Sequence, residues 1–387
     1  MATYLKAAND IFWSPSFWLP EGFVWKDLEP KDSETYYPRI QDVNWCVVVG
    51  VFLLGVRYVY ERLIVVPIAR RLGVKETKKS IVPNPVLESA FSKHKGKITN
   101  DTIQALIKQT DLTEREIQRW VFRRKFQDVP THMQKFRECS WHLLFYLSAF
   151  IGGLITLWDK DWFWKSKYCF INWPYQHVGN DLYVFYLMEL SFYWSLLFSS
   201  LHDIRRKDFW EMTIHHVITI NLIYWSWVVN FVRIGALVII VHDVSDYWMA
   251  LAKIAKYSKK QTLCELLFLA FVVVWTVTRI GVYPYWVLYA AAIDIHNYVK
   301  PFQVHRMFVF LLCTLQVLHI IWTYMIYKVA FQKFTTGSIE RDIRSDTEED
   351  DDTVTEPTDE DLRQSVMNGG PATHLRHNNS SAANNSA

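Results

Sequence analysis

Apolar residues in this chain fall into seven long runs separated by charged stretches, at roughly 44–64, 140–158, 181–201, 209–230, 233–252, 262–283 and 305–331. A run of about 20 apolar residues is what an α-helix needs to cross a hydrocarbon core of roughly 30 Å. Backbone polar groups find no water there, so such a segment must satisfy them within itself, as a helix. The pattern predicts an all-α, polytopic membrane helix bundle of about seven transmembrane helices. The first run is the least uniform, because Arg57, Glu61 and Arg62 sit in its second half. Arg57 and Glu61 are spaced to pair on one helix face, while Arg62 can snorkel toward headgroups.

The longest stretch between runs, residues 80–137, breaks this pattern. From Asp111 to Trp120 it reads as a helix start, with Thr113 as cap and Glu114 and Glu116 in a first turn that favours negative charge. Trp120 to Lys125 continues it as a basic amphipathic helix. The organisation expected is a lumenal N-terminal segment (1–43), a first transmembrane helix (44–66), a cytosolic linker with a helical segment (67–137), a membrane domain of the six remaining runs (138–334) and a disordered acidic tail (335–387). The tail is polar throughout: residues 340–363 hold twelve acidic and three basic residues, which cannot build a core.

Charge orients the runs. Residues 1–43 carry four basic and seven acidic residues, and residues 67–140 carry sixteen basic and eight acidic. Arg205, Arg206 and Lys207 lie at the next junction but one, and Lys253, Lys256, Lys259 and Lys260 after the fifth run. Basic loops alternate with weakly charged ones, so the positive-inside rule places the N-terminus in the lumen and the C-terminus in the cytosol. The segment 159–180, with Trp162, Phe163, Trp164, Trp173 and Tyr175, suits an interfacial belt.

Composition adds little. Of 387 residues 51% are hydrophobic and 16% aromatic, and the net charge of +3 averages a basic middle with an acidic tail. The five cysteines are scattered without a CxxC, so neither a zinc ribbon nor a disulfide framework is implied. The first residues lack an apolar core of signal-peptide length, and the first crossing is expected to serve as targeting signal.

Candidate chemistry lies inside the runs. His215 and His216 sit in the fourth, and an ionisable residue at membrane depth is a functional candidate by default. Their bland alternative is helix packing through interhelical hydrogen bonds, worth about 1 kcal/mol. In the fifth run His242, Asp243 and Asp246 are spaced to share a face, and two carboxylates there imply a polar cavity. His215 is about 9 Å from the start of its helix and Asp246 about 10 Å from the end of the next, so they reach similar depth. Such a histidine can deprotonate an amine attacking a thioester, or attack the thioester itself. Asp246 or Asp243 would orient the imidazole, and His242 is either a third catalytic group or a structural partner. Tyr193, Trp194 and Ser195 in the third run, with Arg205, Arg206 and Lys207 beyond it, are candidate substrate contacts, the basic trio for phosphates. No metal site is expected: His and Asp are good ligands, but the thirteen histidines are mostly isolated and lack the repeated spacing of membrane metal centres.

FYWSLLFS, DIRRKDFW, IHHVITI, RIGALVIIVHDVSD, AKIAKY and TRIGVYP follow one another in an order and spacing that resembles the Lag1 motif in the TRAM-LAG1-CLN8 domain of animal ceramide synthases. The N-terminal FWLPEGFVWKDLE and the acidic RSDTEEDDD look like the same family. Residues 111–125 resemble the last two helices of a homeodomain, the arm and first helix being replaced by a linker. The resemblance implies residence in the endoplasmic reticulum and acyl-CoA-dependent N-acylation of sphinganine or sphingosine. It also implies a catalytic pair at His215 and His216, functional aspartates at Asp243 and Asp246, and an acyl-chain-selecting loop at Ala292–Phe302. No cofactor is implied, acyl-CoA being a substrate. Partners expected are acyl-CoA, a sphingoid base, membrane lipid and a second chain in a homo- or heterodimer.

Two other classes compete with this reading. One is a non-catalytic lipid sensor or chaperone built on the same membrane fold, which loss of the His–Asp set would favour. The other is DNA binding, which is not expected: Arg123 falls where a homeodomain's adenine-reading Asn would stand. Anionic headgroups suit the basic helix better. Ser345, Thr347, Thr353 and Thr358 each precede an acid by three residues and suit an acidophilic kinase. Glycosylation acceptors occur at Asn100, Asn378 and Asn384, all on the side expected to be cytosolic. Endoglycosidase treatment of protein from eukaryotic cells should therefore leave its mass unchanged, and a shift at any of the three would overturn the orientation.

Overall fold

The computed structural model describes residues 2–30, 35–74, 81–94, 98–127, 130–200, 203 and 208–336. The principal helices are α1 (Ile40–Arg71), α2 (Pro85–Lys93), α3 (Asn100–Gln109), α4 (Glu114–Gln127), α5 (His132–Leu157), α6 (Asn180–Ser199), α7 (Phe209–Val228), α8 (Val232–Tyr257), α9 (Gln261–Asn297) and α10 (Gln303–Thr336). Among the described residues there is no strand. They fall into two compact units, one within Met1–Val74 and Met133–Asp346, the other within Lys75–His132.

Helices occupy all seven expected runs in the first unit. Six contain stretches long and apolar enough to cross a bilayer, in α1, α5, α6, α8, α9 and α10. The other, α7, has the length at 20 residues, or roughly 30 Å. Glu211, His215, His216 and Asn221 lower its hydropathy below that of its neighbours, and both histidines are buried inside the protein.

Several helices outrun the expected limits, α5 by starting at His132, α1 by continuing to Arg71 and α9 by continuing to Asn297. α9 does not stop near Tyr283 but runs through Pro284, because residues Thr276–Leu288 wind as a π-helix. Proline clashes with the carbonyl four residues back in an α-helix, and the wider turn relieves this. The Tyr289 N–H accordingly bonds the Pro284 carbonyl, five residues back. α1 widens in the same way at Glu61–Val65, where Glu61 is buried and Arg62 stays exposed.

Helix contact inside a bilayer relies on close packing more than on the hydrophobic effect. At Gly50 in α1 an added Cβ would meet the Ser191 carbonyl oxygen at 2.9 Å and the Trp194 Cβ at 3.2 Å, so α1 and α6 touch almost backbone to backbone. One end of the bundle is closed by aromatic packing. The Trp173 indole donates to the Val229 carbonyl at 3.0 Å and stacks on Phe302, with centroids 6.0 Å apart. Trp18 from the N-terminal segment packs 4.6 Å from Trp225. Trp162, Phe163 and Trp173 are buried here, which corrects the expected interfacial belt; of that set Trp164 and Tyr175 remain exposed. Asn230 makes the tight α7–α8 turn at φ 55°, a left-handed conformation asparagine tolerates, while its amide donates to the Pro174 and Gln176 carbonyls.

The second unit has three helices where the sequence suggests two after a linker. Asn84 caps α2 by accepting from the Val86 and Leu87 amides at 3.0 and 3.2 Å, and Pro85 occupies the first turn. Leu87 is fully buried with Ile103, Leu106, Ile117 and Trp120. The expected cap at α4 is a reciprocal pair: the Thr113 amide donates to Glu116 at 2.8 Å, and the Glu116 amide to the Thr113 hydroxyl at 3.4 Å. These bonds from Thr113 hold the Glu116 carboxyl below its ordinary range. Arg124 lies over Phe91 and forks onto Glu88, and the Trp120 indole donates to the Val82 carbonyl at 2.9 Å. A core this small depends on each large side chain. Trp120→Ala should cost about 3–5 kcal/mol, most of the stability of such a unit. Limited proteolysis of the full-length protein should then cut within residues 81–127 at protease levels that spare the wild type.

Candidate active site

A cavity of about 190 Å³ opens among α5, α6, α7, α8, α9 and α10. His215 and His216 line it from α7, His242 and Asp246 from α8, Arg279 from α9, and His319 and Trp322 from α10. Glu138, Asp203, Asp208 and Lys253 stand where helices begin or end, so the charged mouth lies at the end of the bundle away from the aromatic closure.

His215 is the centre of this group. Its ring lies 6.4 Å from that of His242 with 23° between planes, 5.4 Å from Trp322 edge-on and 6.2 Å from Tyr193. His216 meets Tyr193 at 6.0 Å and His215 at 5.8 Å. Nδ1 of both histidines is buried without a hydrogen-bond partner among the described residues. Adjacent helix positions diverge by about 100°, which leaves His215 facing α8 and α10 while His216 turns to α6.

Beside it, His242 is locked. Its Nδ1 lies 2.6 Å from the Val238 carbonyl, which can only accept, so Nδ1 carries the proton. In neutral His242 the Nε2 then accepts from Nε2–H of His319 at 3.1 Å. Arg279 secures the same turn of α8: its Nη2 donates to the His242 carbonyl at 2.8 Å, and to Ser245 Oγ and Asp246 Oδ1 at 3.0 Å each. The Ser245 hydroxyl donates to the same carboxylate oxygen at 2.9 Å. The guanidinium also lies 5.1 Å from the Trp275 ring centroid. Arg279 is 2% exposed; its Nη2 alone carries this charge-assisted set, and its Nε and Nη1 have no hydrogen-bond partner among the described residues.

The site therefore differs from the sequence reading in several places. Asp246 holds Arg279, and no hydrogen bond joins it to His215. Asp243 lines neither the cavity nor its neighbour; it is 1% exposed, and both its carboxylate oxygens lack a hydrogen-bond partner among the described residues. It lies about 100° around α8 from His242 and so does not share the cavity face. Tyr193 joins the site. Trp194 lies against α1 at Gly50, and Ser195 donates to its own helix at the Phe192 carbonyl, so neither lines the cavity. Arg205, Arg206 and Lys207 lie outside the described residues. Among the described residues no group of three or more His, Cys, Asp and Glu side chains is placed to hold a metal ion.

Three residues were missed. Arg279 and His319 are single polar residues in apolar runs, a signal available in the sequence. Glu189 of α6, 1% exposed, is another.

A second, smaller cavity of about 50 Å³ begins at the far side of His242. Its wall is almost entirely apolar, with Ile234, Val238, Phe308 and Leu312 along it and Phe170, Phe231, Ala291 and Ile295 among its lining. His242 borders both spaces.

Residues 135–328 match the TRAM_LAG1_CLN8 (TLC) domain family. Ceramide synthase 5 of Homo sapiens is 39% identical over 360 residues, covering 92% of this chain and 92% of that one. Ceramide synthase 4 of Homo sapiens is 38% identical over 348 residues, 90% of this chain and 88% of its own. Ceramide synthase 3 of Mus musculus is 36% identical over 337 residues, 87% of this chain and 88% of its own. With a match that runs through nearly the whole membrane unit and beyond it, the chain belongs to the ceramide synthase family.

Proposed function

We infer that this protein is a ceramide synthase: it transfers a fatty acyl group from acyl-CoA to the amino group of a sphingoid base. The observation that carries the reading is the placement of His215, buried in a cavity that is charged at its mouth and apolar beyond His242. A thioester substrate has the same polarity, an anionic CoA at one end and a hydrocarbon chain at the other.

In the transfer, the amine nitrogen bonds to the thioester carbonyl carbon and the carbon–sulfur bond breaks. The proton leaves the amine and the CoA thiolate leaves the carbon. His215 serves this in one of two ways: as the base that takes the amine proton, or as the nucleophile that first forms an acyl-imidazole. His216 backs it through Tyr193. His242, His319, Asp246 and Arg279 act as a frame, since each is occupied with another. Exclusion of water from the cavity protects the thioester and any acyl-enzyme from hydrolysis.

Orientation follows from the same division. We assign the aromatic end to the lumen of the endoplasmic reticulum and the cavity mouth to the cytosol, where acyl-CoA is soluble. The gathering of residues 35–43, 168–178 and 229–231 at one end, and of Arg70, Arg71, Lys253, Lys256 and Lys260 at the ends of helices pointing the other way, supports this.

Detergent-purified full-length protein should N-acylate sphinganine when offered a panel of acyl-CoA lengths. His215→Ala should lower kcat at least about a thousandfold in protein that melts like the wild type. Asp246→Asn, which keeps the shape but leaves the buried Arg279 charge without its counter-ion, should lower it about a hundredfold. No product from folded wild-type protein at any chain length would favour the non-catalytic reading. Acyl-CoA labelled in its acyl group, given without base, separates the two roles: hydroxylamine-labile label on the wild type but not on His215→Ala marks the nucleophile, and unlabelled active protein marks the base.

Ile295, in the last turn of α9 and within the expected chain-selecting loop Ala292–Phe302, lines the apolar cavity. Ile295→Ala should raise kcat/KM for the next longer acyl-CoA relative to the wild type's preferred one by about tenfold. An unchanged profile would remove this loop from chain selection.

A further inference from the structure

Four charged groups outside the histidine cluster form a closed set near the cavity mouth. Arg57 of α1 forks onto Asp203, Nη1 to Oδ2 and Nη2 to Oδ1, both at 2.9 Å. Its Nε donates to Glu61 Oε1 at 2.7 Å, as the sequence spacing predicts. The other Glu61 oxygen accepts from Nε and Nη2 of Arg137 in α5 at 3.0 and 2.7 Å. Side-chain exposure is 13% for Arg57 and 7% for Glu61, against 27% for Asp203.

Asp203 is the member that lines the cavity. Left alone it would set a full negative charge in the wall of a low-dielectric opening. A bidentate guanidinium opposes a carboxylate better than any other side chain, by geometry as well as charge. Glu61 fixes the fork from behind, and Arg137 balances Glu61. Arg57 and Glu61 both precede the matched domain at 135–328, so this wall of the mouth is set from outside it.

We propose that Arg57, oriented by Glu61, is a positioning residue of the substrate mouth that masks Asp203 and so admits the polyanionic CoA portion of acyl-CoA. The proposal rests on the acyl-CoA reading above. Its signature is the sign of substrate charge, because acyl-CoA is anionic and a sphingoid base cationic. Loss of a merely structural contact would affect both.

The test is steady-state KM for acyl-CoA and for sphinganine, with equilibrium binding of the same acyl-CoA, on full-length purified wild type and variants. Arg57→Met should raise KM and Kd for acyl-CoA about tenfold, more than it changes KM for sphinganine, and added salt should shrink the difference. The double variant Arg57→Met with Asp203→Asn should bring acyl-CoA binding back to within about threefold of wild type. Asp203→Asn alone, which keeps Arg57 and its bond to Glu61, should tighten acyl-CoA and guard against misfolding of the first variant. Acyl-CoA and sphinganine constants that move together, or no rescue in the double variant, would overturn the proposal. Inactive wild-type protein would instead overturn the acyl-transfer reading, while the binding arm still decides the role of Arg57.

Discussion

Arg279 is a buried cation on a long apolar helix, and much of the site is arranged around the bonds it makes. One of its nitrogens bonds the His242 carbonyl, the Ser245 hydroxyl and the Asp246 carboxylate, three groups on a single turn of α8. A charge left unshared at that depth would cost several kcal/mol, so α8 and α9 are held in one register. That register faces His242 toward His319, and His242 in turn lies beside His215. Arg279 falls within the π-helical stretch, whose wider turn changes the direction in which side chains leave α9. A backbone irregularity and a buried charge thus act together to place the imidazoles.

The same economy of charge governs the cavity mouth. Arg57, Glu61, Arg137 and Asp203 tie α1 and α5 to the residue beyond α6, with each carboxylate facing a guanidinium. At the opposite end the ion pair Lys160–Asp181, 3.5 Å apart, is partly exposed, and the closure is mainly aromatic. It is packed with phenyl rings and with indoles whose N–H groups donate to backbone carbonyls, as those of Trp173 and Trp227 do. One end is therefore polar and opens to a charged substrate, and the other is sealed. A two-ended amphiphile such as an acyl thioester has the same gradient of polarity.

Family membership and fold class could be read from the order of motifs and from the spacing of apolar runs. Pairing of Arg57 with Glu61 and capping of Glu116 by Thr113 could be read as well, because both are contacts between residues three or four apart on one helix. The first helix of the small unit was not legible: Asn84-Pro85 is a good start signal, but nine residues make too short a run to stand out by periodicity. The length of α9 was hidden by Pro284, which local rules read as a stop.

What the sequence by itself determined was that His215, His216, His242, Asp243 and Asp246 fall inside apolar runs, since the spacing of apolar and polar residues is local information. The tertiary structure decided which of them meet. Asp243 and Asp246 are equivalent by composition and spacing, yet one reaches the cavity and Arg279 while the other is buried away from both. Trp194 and Ser195 follow Tyr193 directly, yet α6 turns them to other neighbours. The reason is physical: the rotation of each helix about its axis is set by packing against helices far away in sequence, and no local periodicity carries that information.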